Sequence, residues 1–132
     1  MKTTLTKKEA EEYFYNALCN AVGSGWIDGY GIELTYSQAD YDAAKQSLKQ
    51  KCTNQTQCWE DVLMEILRIG KPLTMVDREN GEDDASIYLD DVHERVANAP
   101  IEHLMDMING NDDAVTADAI VQSVFYGEVI FG

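Results

Sequence analysis

Two short apolar runs on either side of an Asn-Gly pair place the strongest constraint on the fold. The runs are PLTMVD, which begins at Pro72, and ASIYLD, which begins at Ala85, and the pair between them is Asn80-Gly81. Asn-Gly readily adopts the positive φ angles of a tight turn, so the pattern predicts a β-hairpin near residues 72–89. Other apolar residues recur at helical spacing, so the chain as a whole is predicted to be α+β.

The segments before the hairpin predict three helices and one strand. Thr6 and Glu9 have the spacing of a capping box at the start of the first helix, and apolar residues follow at intervals of three and four. Residues 32–36 alternate between apolar and polar, which predicts a half-buried strand. We expect a second helix to begin at Ser37 and a third to cover residues 59–67.

The segments after the hairpin predict three further helices. A short helix is expected over Leu89–Asn98, with Asp90 or Asp91 as the residue whose carboxylate begins it, and the last helix is expected to begin at Thr116. The prediction is a single α+β domain over residues 1–132, with five or six helices packed on a small, mostly antiparallel sheet.

The helix that follows Pro100 has a predicted orientation. Proline suits the first turn of a helix, and apolar residues follow it at helical spacing. The residues expected on the buried face are Ile101, Leu104, Met105 and Ile108. His103 lies almost opposite this face, so we expect its side chain to point to solvent.

The charge of the chain is negative and unevenly distributed. The formal net charge is −14, of which residues 75–118 contribute −11 and the rest of the chain −3. Nucleic acids and anionic membranes bind basic surfaces, so direct binding to either is not expected. The N-terminal segment has no apolar signal core, and no run approaches the ~20 apolar residues that cross a bilayer. We therefore expect a cytoplasmic protein.

Established catalytic and metal-binding motifs do not fit this sequence. An EF-hand loop starting at Asp77 needs glycine at its sixth position, but Gly81 is the fifth residue. The chain has no nucleophile elbow, zinc-protease motif or phosphate-binding loop. Three cysteines without a secretion signal predict free thiols. The sequence therefore predicts a protein that is not an enzyme and has no cofactor and no metal site.

Two histidines with nearby carboxylates support a different hypothesis. Asp90 and His93, and likewise His103 and Asp106, are three residues apart, which places each pair on neighbouring ridges of a helix. A small enzyme or metal-binding protein that uses His93, His103 and these carboxylates is therefore an alternative. The expected solvent orientation of His103 argues against a site shared by both histidines.

Two stretches of the C-terminal half carry a resemblance to known proteins. They are LTMVDRENGEDDASIYLDDVHERVANAP, which begins at Leu73, and DDAVTADAIVQSVFYGEVIFG, which begins at Asp112. In these stretches the chain resembles small acidic proteins of gut anaerobic bacteria and their mobile elements. The resemblance implies a bacterial cytoplasmic setting and supplies no catalytic signature and no functional residue.

The acidic C-terminal half predicts a protein-interaction module that docks on a basic surface of another macromolecule, because charge of one sign steers association and selects partners. One alternative is a nucleic-acid mimic that blocks a DNA-binding protein. Mimicry needs an elongated strip of acids, because duplex DNA carries about one charge per 1.7 Å of axis. A further alternative is that the acids only keep the protein soluble. The predicted contact residues are Glu79, Glu82, Asp83, Asp84, Asp90, Asp91 and Glu94.

Overall fold

Six α-helices and a three-stranded sheet make up the part of the chain that the structure describes. The structure is a computed structural model, and it describes residues 4–21, 31–51, 58–78, 84–111 and 113–130. The helices are α1 (Lys7–Ala21), α2 (Gln38–Lys51), α3 (Trp59–Arg68), α4 (Leu89–Arg95), α5 (Ile101–Ile108) and α6 (Ala114–Tyr126). The strands are β1 (Ile32–Thr35), β2 (Leu73–Asp77) and β3 (Ala85–Ile87), and a single 3-10 turn, Val96–Asn98, follows α4. The predicted α+β class is confirmed.

Helix α1 begins at the predicted capping box. The Thr6 backbone N–H donates to Glu9 Oε1 over 3.0 Å, and the Glu9 backbone N–H donates to Thr6 Oγ1 over 3.1 Å. Each side chain thus satisfies an end amide that has no partner inside the helix. The hydrogen bond from the Thr6 backbone lowers the pKa of Glu9, so the carboxylate that caps the helix stays ionised.

The sheet has the order β1-β2-β3, and both pairs of neighbouring strands are antiparallel. Ile32 is opposite Asp77 in the first pair, and Leu73 is opposite Ile87 in the second. The predicted hairpin is confirmed by the pairing of β2 with β3. The predicted Asn80-Gly81 turn lies outside the described residues.

Aromatic side chains join the sheet to the two helices that follow it. The Trp59 indole Nε1–H donates to the Tyr36 hydroxyl over 2.9 Å, and the Tyr36 and Tyr41 rings stack with centroids 5.1 Å apart. All three side chains are half-buried and pack against the hydrophobic core. The cluster fixes the start of α2 and the start of α3 against the end of β1.

Helix α6 is the centre of the core. Ten successive residues, Thr116–Phe125, are buried, and α1, α4, α5 and β3 pack around them. The rings of Phe14 on α1 and Phe125 have centroids 6.4 Å apart. Asp113 caps the helix by accepting the Thr116 N–H, so α6 begins at Ala114, slightly before the predicted start. Gly127, at φ 79°, ends the helix in the left-handed conformation that glycine favours.

The polar side chains inside α6 are hydrogen-bonded. Asp118 accepts from Gln122 Nε2 over 2.9 Å, and Ser123 Oγ donates to the Ala119 carbonyl over 2.8 Å. Gln122 Oε1 also accepts the Ile130 backbone N–H over 2.8 Å. These bonds offset the cost of placing polar groups in an apolar environment, and the last one holds the residues after α6 against the helix.

The expected range Leu89–Asn98 matches α4 and the 3-10 turn that follows it, but the residue expected to begin α4 and the expected buried face of α5 were both wrong. Helix α4 has Tyr88 as its N-cap and begins at Leu89, so Asp90 and Asp91 lie in its first turn. On α5 the buried residues are Leu104 and Met107, and His103 is half-buried instead of pointing to solvent. The exposed apolar residues of α5 are Ile101 (57% exposed), Met105 (42%) and Ile108 (37%).

The reason for the α5 error is the width of its apolar arc. Successive residues of a helix are rotated by about 100°, so the five apolar residues of α5 cover an arc of about 160°. Contact with α6 covers only the half of this arc that contains Leu104 and Met107. Helical spacing alone cannot distinguish the two halves, because both are apolar.

This orientation of α5 predicts unequal effects of truncation. Leu104→Ala should lower the free energy of unfolding by about 2–5 kcal/mol, because it leaves a cavity in a fully buried site. Ile101→Ala should change it by less than about 0.5 kcal/mol, because that side chain is already in water. Urea unfolding of both variants beside the unmodified protein measures the difference. Equal destabilisation would contradict the orientation described here.

Candidate functional site

The acidic stretch that contains the hairpin has a partly structural role. Asp77 is buried at the end of β2, and its backbone N–H donates to Asp84 Oδ1 over 2.6 Å. Through this hydrogen bond, one oxygen of Asp84 closes the described end of the hairpin, although the residue is exposed. The predicted contact residues Glu79, Glu82 and Asp83 lie outside the described residues.

The three acids of α4 differ in their surroundings. Asp91 accepts the Tyr88 N–H over 2.8 Å, and its Oδ1 lies 3.5 Å from Arg95 Nη2. Its role is therefore to cap the helix and hold Arg95. Asp90 and Glu94 are both exposed, and their four-residue spacing places them on the same face of the helix, one turn apart.

Arg95 is the only arginine or lysine in α4, and it is held by two groups. Besides its contact with Asp91, its Nη1 donates to the Val124 carbonyl over 3.0 Å. This carbonyl lies in the last turn of α6, where carbonyls have no partner within the helix. Arg95 thus fastens α4 to α6 and is directed away from the face that carries Asp90 and Glu94.

His93 contacts a carboxylate that the sequence did not suggest. Its Nε2 lies 2.9 Å from Oε2 of Glu11, a residue of α1 that is 82 positions away in the chain. Glu11 Oε1 lies 3.4 Å from Arg68 Nε on α3. The hypothesised pairing of His93 with Asp90 is thus replaced by a contact that links α4, α1 and α3. His103 belongs to α5 and is half-buried there.

An open cavity of about 630 Å³ lies between the first turns of α1 and helix α3. Its charged lining includes Lys7, Lys8, Arg68, Glu11, Glu12 and Asp61. The three cations and three carboxylates balance, so the cavity has no strong potential of one sign with which to concentrate a charged ligand.

Tyr15 lines the same cavity and contacts a cysteine. Its hydroxyl lies 3.5 Å from Cys58 Sγ. Hydrogen bonds to Cys58 and Asp61, together with burial, raise the pKa of Tyr15 well above its usual range. Burial likewise raises the pKa of the neighbouring Cys19 thiol. Both groups are therefore held in the protonated form, which is the less reactive form of a nucleophile.

Glu65 on α3 is a fully buried carboxylate that sequence reasoning missed. Its Oε2 accepts from Ser47 Oγ over 2.5 Å and from Lys51 Nζ over 2.7 Å, and its Oε1 lies 3.5 Å from Arg68 Nη1. Burial alone would raise the pKa of Glu65, but the hydrogen bonds from Lys51 and Ser47 and the two positive charges lower it overall. The only local signal was the three-residue spacing of Glu65 and Arg68.

A buried acid with a shifted pKa is a frequent mark of an active site. Glu65 contacts cations and a hydroxyl of α2 and α3, and the cavity lining described above does not include it. These contacts join α2 to α3 and assign Glu65 a structural role.

The described part of the chain also bears on metals and membranes. Across these residues, no three His, Cys, Asp or Glu side chains converge in a way that could hold a metal ion. None of the helices described combines the length and the apolarity needed to cross a bilayer.

Comparison of the chain with protein-family models, curated proteins and solved structures finds no match.

The Glu65 network predicts a pH-dependent stability difference. Glu65→Gln should lower the free energy of unfolding at pH 7 by about 1–3 kcal/mol, because the ionised acceptor of three contacts is lost. The folded-state pKa lies below the ordinary value of 4.5, so this stabilisation is present above that pH and disappears as pH falls through the lower pKa. The difference between the two proteins should therefore shrink below about pH 4.

Urea unfolding from pH 7 to pH 3 measures this effect. Glu33→Gln, which changes an exposed carboxylate on β1, is the control and should differ from the unmodified protein by less than about 0.5 kcal/mol at pH 7. A Glu65→Gln deficit that stays constant over the whole pH range would mean that the charge of Glu65 does not stabilise the fold.

Proposed function

We propose that this protein is a non-enzymatic interaction module whose acidic C-terminal half docks on a basic surface of another protein. The observation that carries the proposal is the exposure of Asp90 and Glu94, one turn apart on the same face of α4. The proposed contact surface also includes Glu79, Glu82, Asp83 and Asp84. Asp91 is left out of it, because its carboxylate is engaged with Tyr88 and Arg95.

Several cations of the described residues contact acids other than Asp90 and Glu94, which supports the proposal that these two acids form a negatively charged surface. Arg95 contacts Asp91 and the end of α6. Lys51 and Arg68 contact Glu65 and Glu11, which are acids of the first half of the chain. Charge compensation by these residues therefore occurs away from Asp90 and Glu94.

Docking on a protein is favoured over nucleic-acid mimicry by charge density. On α4 the proposed surface comprises Asp90 and Glu94, which place two charges over about 6 Å of helix axis, given a rise of 1.5 Å per residue. Duplex DNA presents about one charge per 1.7 Å, so the same length of duplex carries between three and four. Helix α4 has only seven residues, which does not extend this spacing into a long strip.

The state of the groups that line the cavity, and of the nearby Cys19, supports a non-enzymatic role. Tyr15 and Cys19 are held protonated, and Glu11 is shared between His93 and Arg68. We include in the proposal the bacterial cytoplasmic setting that the resemblance of the C-terminal half implies.

A pair of matched double variants tests the docking surface. Asp90→Asn/Glu94→Gln removes two charges from the proposed surface, and Glu33→Gln/Asp42→Asn removes two exposed charges from β1 and α2. The immobilised protein is used to capture its partner from a bacterial lysate at low salt, and the affinity of the purified partner is then measured against salt concentration. The α4 variant should bind about fivefold more weakly, a loss of about 1 kcal/mol for two rim charges.

The salt dependence supplies the second readout. The fivefold difference should fade between about 0.1 M and 1 M salt, where the Debye length falls from ~10 Å to ~3 Å. The β1/α2 control should bind like the unmodified protein. If both variants lose the same affinity, or if binding does not respond to salt, the acids act only as a solubilising coat and the proposal fails.

A further inference from the structure

Helix α5 presents to solvent an apolar surface that the fold does not use. Ile101, Met105 and Ile108 are spaced by four and three residues, so they form a continuous stripe on one side of the helix, which we call the α5 stripe. Contiguous exposed apolar surface on a small protein commonly marks an interaction site, whereas single exposed residues do not. Val115, at the start of α6, is also exposed and lies at the same end of the helix pair as Ile108.

Acidic residues border the α5 stripe along one edge. Glu102 and Asp106 are exposed and four residues apart. At about 100° per residue, they follow Met105 around the helix on the side that faces away from Leu104 and Met107. The surface of α5 therefore has a fixed order: the contact with α6, then the apolar stripe, then an acidic edge.

We propose that the α5 stripe is the seat for a basic amphipathic helix of a partner protein. The inference rests on the proposed function, because it specifies which kind of basic partner docks on the acidic half. A helix whose apolar residues lie beside a row of lysine or arginine residues matches the order of surfaces on α5. Its apolar side covers the stripe, and its basic side meets Glu102 and Asp106.

Charge complementarity favours a basic helix over two other partners that could cover the α5 stripe, a second copy of this chain and an anionic membrane. In a two-fold contact between two copies, Glu102 and Asp106 of both chains border the same interface and repel each other. An anionic membrane repels the same edge. A basic helix is attracted to the acidic edge and steered by the net charge of −14.

Synthetic peptides of about 15–20 residues, long enough to form helix on binding, are the probes for the test. One carries leucines at helical spacing beside a row of lysines. The other has the same composition in an order that destroys the amphipathic face. Fluorescence anisotropy at about 0.1 M salt measures the affinity of the full-length protein for each. The amphipathic peptide should bind at least about tenfold more tightly than the scrambled one, a difference of about 1.4 kcal/mol.

Matched variants locate the contact on α5. Ile101→Ser/Met105→Ser should abolish the preference for the amphipathic peptide and leave binding of the scrambled peptide unchanged, since the net charge is the same. Gln46→Ser/Gln50→Ser changes two exposed neutral side chains with the same four-residue spacing on α2 and should retain the preference. Because all four residues are exposed, the urea midpoints of both variants should equal that of the unmodified protein. Measuring these midpoints checks that each variant folds.

Each other outcome overturns the inference in a distinguishable way. Equal, salt-dependent binding of both peptides would leave the proposed acidic docking intact and remove the α5 seat. Failure of both peptides to bind would remove both proposals. Sedimentation that shows a dimer lost in Ile101→Ser/Met105→Ser would assign the stripe to a second copy. Binding to phosphatidylcholine vesicles that is lost in the same variant would assign the stripe to lipid.

Discussion

The burial of α6 on all sides is the constraint on which the rest of the structure depends. Its ten successive buried residues can leave water only if several elements surround the helix, and α1, α4, α5 and β3 do so. This arrangement also explains the polar side chains inside the helix. Gln122 and Ser123 are tolerated because each is hydrogen-bonded, and Arg95 satisfies the carbonyl of Val124 at the end of the helix.

Helices α4 and α5 are short and cover α6, and the side chains that they do not use for this contact face solvent. Helix α5 has eight residues and an apolar arc wider than its contact with α6, so half of the arc remains in water. Helix α4 is shorter still, and it uses Asp91 and Arg95 to hold its position, which leaves Asp90 and Glu94 on the outer face. The helical parts of the proposed docking surfaces are thus the outer sides of α4 and α5, two of the elements that surround α6.

The charges of the first half are arranged differently. Glu65 is buried and held by Ser47, Lys51 and Arg68, and Glu11 is shared by Arg68 and His93. These contacts join helices and neutralise one another, so Lys51 and Arg68 serve packing. The asymmetry of charge along the sequence therefore corresponds to a difference in use: Glu11 and Glu65 of the first half hold helices together, whereas Asp90 and Glu94 of the second half face solvent.

Features with local causes could be predicted from the sequence. The capping box of Thr6 and Glu9 depends on residues one helical turn apart, and the alternation of buried and exposed residues in β1 depends on neighbours within one strand. Both are seen in the structure. The pairing of β2 with β3 followed from their apolar runs. The range of α4 was predicted, but its first carboxylates were mistaken for the cap, because Asp91 satisfies the Tyr88 amide from inside the first turn.

The sequence by itself determined the α+β class, the order of the elements and the excess of negative charge after residue 75. Only the tertiary structure decided which half of the α5 arc is covered, that His93 meets Glu11, and that Glu65 is buried among cations. The physical reason is the range of the forces involved. Caps, turns and periodicity act between neighbours in the chain, whereas these three outcomes depend on side chains that only the packed helices bring together.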